Sequence, residues 1–130
     1  MRTLTSVGWI HVQDARLLAV RTTGRDRFYL PGGKPEASET FEAALAREVQ
    51  EELGIVVDGI RFEFTVTALA HGHDDETSIV MHCFRAETSG KPRPAREIAE
   101  VTWLGLSDRA LAAPAVQVVL DRLAAMGRLR

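Results

Sequence analysis

The sequence contains little cysteine, no long apolar run and no excess of charge of one sign. Its only cysteine is Cys83, so the 130-residue chain cannot form an internal disulfide. No stretch approaches the roughly 20 apolar residues that a membrane-spanning helix needs. The first residues also lack the apolar segment and small-residue cleavage site of a secretory signal. These absences predict a cytoplasmic protein with no membrane association.

The charge balance is close to neutral. Sixteen basic residues stand against 18 acidic ones, for a net charge of -2, so no general electrostatic attraction to a nucleic acid polymer is expected. An anionic ligand must therefore be bound by local groups. With 45% hydrophobic residues, the chain is expected to form one domain, residues 1–130, around its own core. The composition leaves a homodimer open.

Hydrophobic periodicity predicts an α+β domain. The clearest element is a helix from Thr40 to about Leu53, with Thr40 as N-cap, Glu42 in the first turn and Gly54 at the C-terminal end. The first two predicted strands are expected to form a hairpin. Strands are predicted over residues 7–12, 17–20, 62–69, 79–86 and 101–104, and a closing helix over residues 115–126.

One face of the predicted central helix is acidic. At about 100° per residue, Glu48, Glu51 and Glu52 fall within roughly a third of the helix circumference, beside an arc that contains Leu45 and Val49. Like charges at this spacing repel one another. Carboxylate oxygens suit a hard divalent cation, Mg²⁺ or Mn²⁺, that also binds phosphate. Taken alone, the cluster fits either a metal site or a solvated acidic face.

The spacing of the glutamates decides between these interpretations. Gly33 is followed after five residues by Glu39, and after seven more by REVQEELGI, which begins at Arg47. This spacing matches the Nudix box over residues 33–55 at every specified position, whereas a random match has a probability on the order of 10⁻⁸ at average residue usage. The chain therefore resembles the Nudix hydrolases, in particular the MutT-like group. One departure is Ser38, where many members have glycine.

The resemblance extends over nearly the whole chain and implies a fold and an activity. Nudix proteins have an α/β/α sandwich, with a mixed β-sheet between helices. They use Mg²⁺ to hydrolyse a phosphoanhydride bond in a small nucleotide substrate. For a MutT-like member this is a nucleoside di- or triphosphate-type substrate, oxidised nucleotides included.

Two alternative functions come from the same family. One is hydrolysis of another linked nucleoside diphosphate, such as ADP-ribose, a nucleotide sugar or a dinucleoside polyphosphate. The downstream proline and tyrosine typical of the ADP-ribose and diadenosine types are absent, which favours the MutT-like interpretation by elimination. The other is a non-catalytic nucleotide sensor, although such relatives usually lose box glutamates that this chain retains.

The resemblance also implies which residues form the site. In the family the box glutamates bind the metal, which assigns Glu48, Glu51 and Glu52, and the main-chain carbonyl of Gly32 is implied as a further ligand. Arg47 would orient the carboxylates.

A carboxylate must also accept a proton from the attacking water. Glu48 or Glu51 is the first candidate, and Glu97, in the loop before the last strand, is the second. Glu97 could equally be a metal ligand or an ordinary surface charge. Glu39 is expected to pair with Arg47 or to support the metal through water.

Basic and aromatic side chains outside the box are candidate substrate contacts. Arg21 ends the second predicted strand, where it could reach phosphates, and Arg25, Arg27 and Lys34 are weaker candidates of the same kind. Tyr29 could stack on a base. Trp9 could do so too, although an aromatic residue on a strand is more often part of the core.

Two further features are interpreted as structural rather than functional. The segment HGHDDE, residues 71–76, lacks metal-ligand spacing and is taken as a solvated loop at the rim of the cleft, with His71 and His73 near the ligand as the alternative. Cys83 lies in an apolar strand, where it is expected to be a buried small side chain.

Overall fold

The computed structural model describes residues 2–70 and 76–130. A short 3-10 helix, Leu106–Leu111, was not expected from the sequence pattern. The other elements, in chain order, are β1 (Arg2–Trp9), β2 (Val12–Gln13), β3 (Arg16–Thr22), β4 (Gly32–Gly33), α1 (Phe41–Leu53), β5 (Asp58–Leu69), β6 (Thr77–Glu87), β7 (Ile98–Leu104) and α2 (Pro114–Ala125).

The strands form two sheets. The first has the order β4-β1-β6-β5, in which β1 and β6 are parallel and the other pairs are antiparallel. The second is antiparallel, with the order β2-β3-β7. The expected hairpin is present but short, because β1 ends at Trp9 and pairs with β6, which leaves only β2 to pair with β3. The predicted mixed sheet is confirmed, whereas the second, antiparallel sheet was not predicted.

The helices cover opposite faces of the sheets, which confirms the α/β/α sandwich. On β6, Cys83 packs in the core beneath α2 with Leu120, whereas the next residue, Phe84, packs in the core beneath α1 with Leu45. This alternation follows from the two-residue period of a strand. Trp9 is fully buried, and its Nε1 donates to the carbonyl of Ala86 at 3.3 Å. Trp9 and Cys83 are therefore core residues.

Helix α1 begins and ends where the sequence predicts. Thr40 Oγ1 accepts a hydrogen bond from Ala43 N at 3.1 Å, and Gly54 adopts a left-handed conformation with φ 67°. Beyond the helix, Ala95 N donates to the carbonyl of Glu52 at 2.9 Å. The loop before β7 is thus attached to the C-terminal end of the acidic helix. Within the described ranges, neither helix combines the length and apolar character that crossing a membrane requires.

A serine occupies a backbone conformation that favours glycine in the turn before α1. Ser38 has φ 68°, and a side chain in this region costs roughly 1 kcal/mol. We expect Ser38→Gly to raise the free energy of unfolding by about 0.5 kcal/mol, since the relieved strain is partly offset by the greater freedom of glycine in the unfolded chain. Urea titration measures the change. Ser89→Gly is the control, because φ of Ser89 is not positive. A loss of stability in Ser38→Gly would contradict this explanation.

Candidate active site

A cavity of about 330 Å³ lies against β1, β6 and the start of α2. Most of its wall is apolar. Among the predicted site residues, Tyr29, Gly32, Lys34 and Glu52 line it. The apolar side chains in the wall include Leu4, Leu30, Leu69, Ile79, Met81, Ala113 and Val116. The cavity therefore combines an apolar surface with a few charged groups, as small-molecule sites usually do.

Glu52 is a buried carboxyl group in the wall of this cavity. Its side chain is 7% exposed, and Oε1 accepts a hydrogen bond from Gly32 N at 3.1 Å. Burial raises the pKa of Glu52 to about 9, and the negative charges of Glu48 and Glu97 add to the shift. Burial and two neighbouring negative charges both oppose ionisation of Glu52, and a bound cation would offset them.

Glu48 lies directly beside Glu52, and their carboxyl groups are within hydrogen-bonding reach of each other. Burial raises the pKa of Glu48, although its hydrogen bond to Arg47 opposes the shift. Glu48 also packs beneath Gly33, where a Cβ atom would lie 2.7 Å from Glu48 Cδ. A side chain at Gly33 would displace this carboxylate.

Gly32 requires glycine for a separate reason. Its φ is 147°, and an added Cβ would overlap the carbonyl of Val7 on β1. The two glycines thus let β4 lie between β1 and α1, so that its backbone reaches the paired carboxylates.

Arg47 connects the acidic side chains at the edge of the site. Its Nε and Nη2 donate to both oxygens of Glu39, at 2.7 and 3.0 Å, and Nη1 donates to Glu48 Oε1 at 2.6 Å. Glu51 Oε2 lies 3.5 Å from the same Nη1. The hydrogen bond from Arg47 lowers the pKa of Glu39 to about 2. Arg47 therefore bridges Glu39 and Glu48, while its role in orienting carboxylates around a metal stays a prediction.

Glu51 and Glu97 lie at the margin of the site. The Glu51 side chain is 38% exposed and contacts Arg47. Glu97 is exposed just before β7, and its charge reaches Glu52. In residues 2–70 and 76–130, no three carboxylate, imidazole or thiolate groups converge on one point as they would around a bound ion. The structure therefore brings Glu48, Glu52 and Gly32 together, and leaves Glu51 and Glu97 outside that group.

These donors nevertheless fit a magnesium ion. Mg²⁺ is usually held by one or two carboxylates, and it keeps several waters or substrate oxygens as its other ligands. Glu48 and Glu52 supply two carboxylates, one of them buried, and the backbone of Gly32 is adjacent. Carboxylate and main-chain oxygens are the ligands that a hard cation prefers.

The structure separates the basic candidates. Lys34 and Arg25 line the cavity, whereas Arg21 is not among the described residues that line it. Arg21 Nε instead donates to Glu100 Oε1 at 3.1 Å. Arg27 donates to the carbonyl of Ala110. His71 and His73 lie outside the described residues.

The sequence pattern does not predict three further cavity residues, Ser6, Thr22 and Ile98. Ser6 is buried, and its hydroxyl donates to the carbonyl of Gly33 at 3.3 Å. The two-residue period of β1 places Ser6 on the face opposite Val7. Nothing local, however, indicates that this face meets the box, because the contact depends on pairing between β1 and β4.

Comparisons with known proteins agree with this geometry. The NUDIX domain family model matches residues 2–123. A MutT-like protein from Streptomyces ambofaciens is 36% identical over 106 residues, which cover 80% of this chain and 64% of that protein's length.

Two solved structures are similar over nearly their whole length. A MutT NUDIX hydrolase from Burkholderia pseudomallei has a TM-score of 0.76 and 26% identity, with 95% of this chain and 99% of that chain covered. The ORF135 protein of E. coli has a TM-score of 0.75 and 25% identity, with coverage of 97% and 91%. With its complete box and its sandwich fold, this chain belongs to the Nudix hydrolase family.

Proposed function

We propose that this protein is a MutT-like pyrophosphohydrolase, which uses Mg²⁺ to hydrolyse a phosphoanhydride bond in a nucleoside di- or triphosphate-type substrate. The observation that carries the proposal is the position of Glu52 in the wall of an apolar cavity, with Glu48 beside it. An apolar moiety can enter this cavity while its attached phosphates remain next to the carboxylates. The named relatives are of the MutT type, which supports the assignment to this group of the family.

The size of the cavity supports a substrate with one nucleoside. About 330 Å³ is near the lower end of the roughly 300–1,000 Å³ typical of small-molecule sites. The apolar wall can hold a base by dispersion and burial, and Tyr29 offers an aromatic ring in the same wall. A dinucleoside polyphosphate would need a second surface for its other nucleoside. Dinucleoside polyphosphates, nucleotide sugars and ADP-ribose are therefore our second choice of substrate class.

Each residue near the carboxylates has a proposed role. Glu48, Glu52 and the Gly32 carbonyl would hold the Mg²⁺ or Mn²⁺, with Glu51 as a further ligand. Metal binding by Glu97 is the alternative to a role as proton acceptor. When bound, the metal neutralises phosphate charge and lowers the pKa of the attacking water. Lys34 would contact phosphate, and Arg47 would keep the Glu48 carboxylate oriented through their 2.6 Å hydrogen bond.

The proton of the attacking water needs a carboxylate acceptor. Glu48 and Glu51 are candidates within the helix. Glu97 is exposed and lies in the loop before β7 rather than on the helix. Its side chain can therefore turn towards a substrate without disturbing the core. The reaction needs no nucleic acid polymer or membrane. A cytoplasmic enzyme is consistent with the proposal, which leaves a homodimer open.

A substrate panel tests this function. We expect release of pyrophosphate from at least one nucleoside triphosphate, normal or oxidised, only when magnesium or manganese is present. Its kcat/KM should exceed the values for ADP-ribose, a nucleotide sugar and a dinucleoside polyphosphate by about tenfold or more. A reversed order would move the protein to the alternative substrate class. No hydrolysis of any of these compounds, at rates above those of Glu52→Gln, would refute catalysis and leave the sensor function.

A further inference from the structure

The loop between β3 and β4 holds an arginine at the cavity. A tight turn begins this loop, in which Arg25 N donates to the carbonyl of Thr22 at 3.0 Å and Gly24 has φ 85°. Glycine allows the turn at this φ without strain. The turn directs the chain so that Arg25 lines the cavity together with Thr22 and Tyr29.

Arg21 anchors this turn. Its Nη1 donates to the carbonyl of Arg25 at 3.1 Å, and its Nε donates to Glu100 Oε1 at 3.1 Å. Arg21 and Glu100 are direct partners across the β3–β7 pair. The guanidinium of Arg21 thus connects β7 to the loop. Because its Nε and Nη1 already donate to these two partners, it is poorly placed to bind substrate as well.

The same loop is attached to the acidic side of the site. Thr23 N donates to the carbonyl of Glu97 at 2.8 Å, and the charge of Glu97 reaches Glu52. Arg25 also acts electrostatically on the cavity wall, because burial raises the pKa of Tyr29 and the charge of Arg25 opposes that shift. Arg25 is therefore a cation in the wall of the cavity that Glu52 also lines.

We propose that Arg25 binds the phosphate chain of the substrate, and that Arg21 and Glu100 position it. This rests on the proposed function and adds a phosphate-binding cation to Lys34. A guanidinium forms paired hydrogen bonds with phosphate oxygens. In the described part of the chain Arg25 forms no ion pair, whereas Arg27 lies 4.0 Å from Asp26 and donates to the carbonyl of Ala110. Arg25 is thus the loop arginine whose charge is available to a ligand.

A double-mutant cycle tests the proposal. We expect Arg25→Ala to raise KM about tenfold or more with little change in kcat, since it removes a charge-assisted hydrogen bond to substrate. Arg25→Lys should recover part of the loss. Arg21→Ala should raise KM less than Arg25→Ala, and the double variant should resemble Arg25→Ala, because Arg21 acts through Arg25. The control, Arg27→Ala, should stay within about twofold of wild type.

Two results would overturn the proposal. One is an Arg25→Ala variant whose KM stays within about twofold of wild type. The other is a double variant in which the two losses multiply, which would mean that Arg21 binds the substrate independently.

The affinity for inorganic pyrophosphate, measured by calorimetry with magnesium present, can be compared across the same variants without any catalysis. If no nucleotide is hydrolysed, the proposed function fails, and this measurement still decides the role of Arg25. Weaker pyrophosphate binding in Arg25→Ala, but not in Arg27→Ala, supports it. Equal binding in wild type and Arg25→Ala contradicts it.

Discussion

Glu52→Gln should remove most of the turnover and, at the same time, make the metal-free protein more stable at neutral and alkaline pH. Turnover should fall at least about 100-fold, because the substitution removes a carboxylate from the metal site. The fold should be unaffected, since glutamine has the same shape and can still accept the hydrogen bond from Gly32 N. A residue retained for packing alone would not give these opposite effects.

The direction of the stability change follows from the raised pKa. Burial raises the pKa of Glu52 from 4.5 to about 9 in the folded, metal-free protein, so the folded state binds this proton more tightly than the unfolded state. Its contribution to stability is complete below pH 4.5 and is lost as the pH rises towards 9. Glutamine does not titrate. The advantage of Glu52→Gln over wild type should therefore be small at pH 5 and grow towards pH 9.

Thermal unfolding in EDTA, at several pH values, measures this difference. Glu42→Gln is the matched control, because Glu42 lies exposed in the first turn of the same helix. It should show neither the growing difference nor the loss of turnover. Magnesium should raise the melting temperature of wild type and have much less effect on Glu52→Gln. Equal turnover of wild type and Glu52→Gln at saturating magnesium would falsify the metal assignment.

The parts of this structure that depend on local sequence were predictable. Thr40 caps α1 and Gly54 ends it, because a hydroxyl oxygen and a left-handed glycine satisfy the free backbone groups of a helix. The shared face of Glu48 and Glu52 follows from helical periodicity alone. The presence of Arg47 among these carboxylates follows from the same short segment of chain. Box spacing therefore identifies the acidic half of the site without knowledge of tertiary structure.

The parts that depend on long-range pairing were not predictable. Arg21 lies near the end of β3 and carries the right charge, yet its side chain is held by Glu100, 79 residues later in the chain. Ser6 reaches the site only because β1 pairs with the two residues of β4. Strand alternation shows which face a residue occupies, and it does not show what that face contacts. The cavity side of the candidate site is consequently the half that the sequence does not predict.

Glu97→Gln should lower turnover steeply, about 100-fold or more, with little change in the magnesium concentration that the enzyme requires. The reason is its position. Glu97 is exposed and precedes β7, while Ala95 of the same loop is hydrogen-bonded to the end of α1. A carboxylate in this place can accept a proton from water at the edge of the site, a role worth about 10²- to 10⁴-fold in rate. The acidic limb of the pH–rate profile should flatten in the variant.

A magnesium titration of Glu97→Gln at two pH values separates this role from two others. If Glu97 is a metal ligand, the variant will need more magnesium, and excess metal will restore much of the rate. If it is an ordinary surface charge, rate and magnesium requirement will each stay within about twofold of wild type. Glu42→Gln again serves as the control, since it removes an exposed charge from the far end of α1. Either of these two outcomes excludes Glu97 as the proton acceptor. Glu48 and Glu51 then remain, because they are the other carboxylates on the acidic helix face beside Glu52 among the described residues.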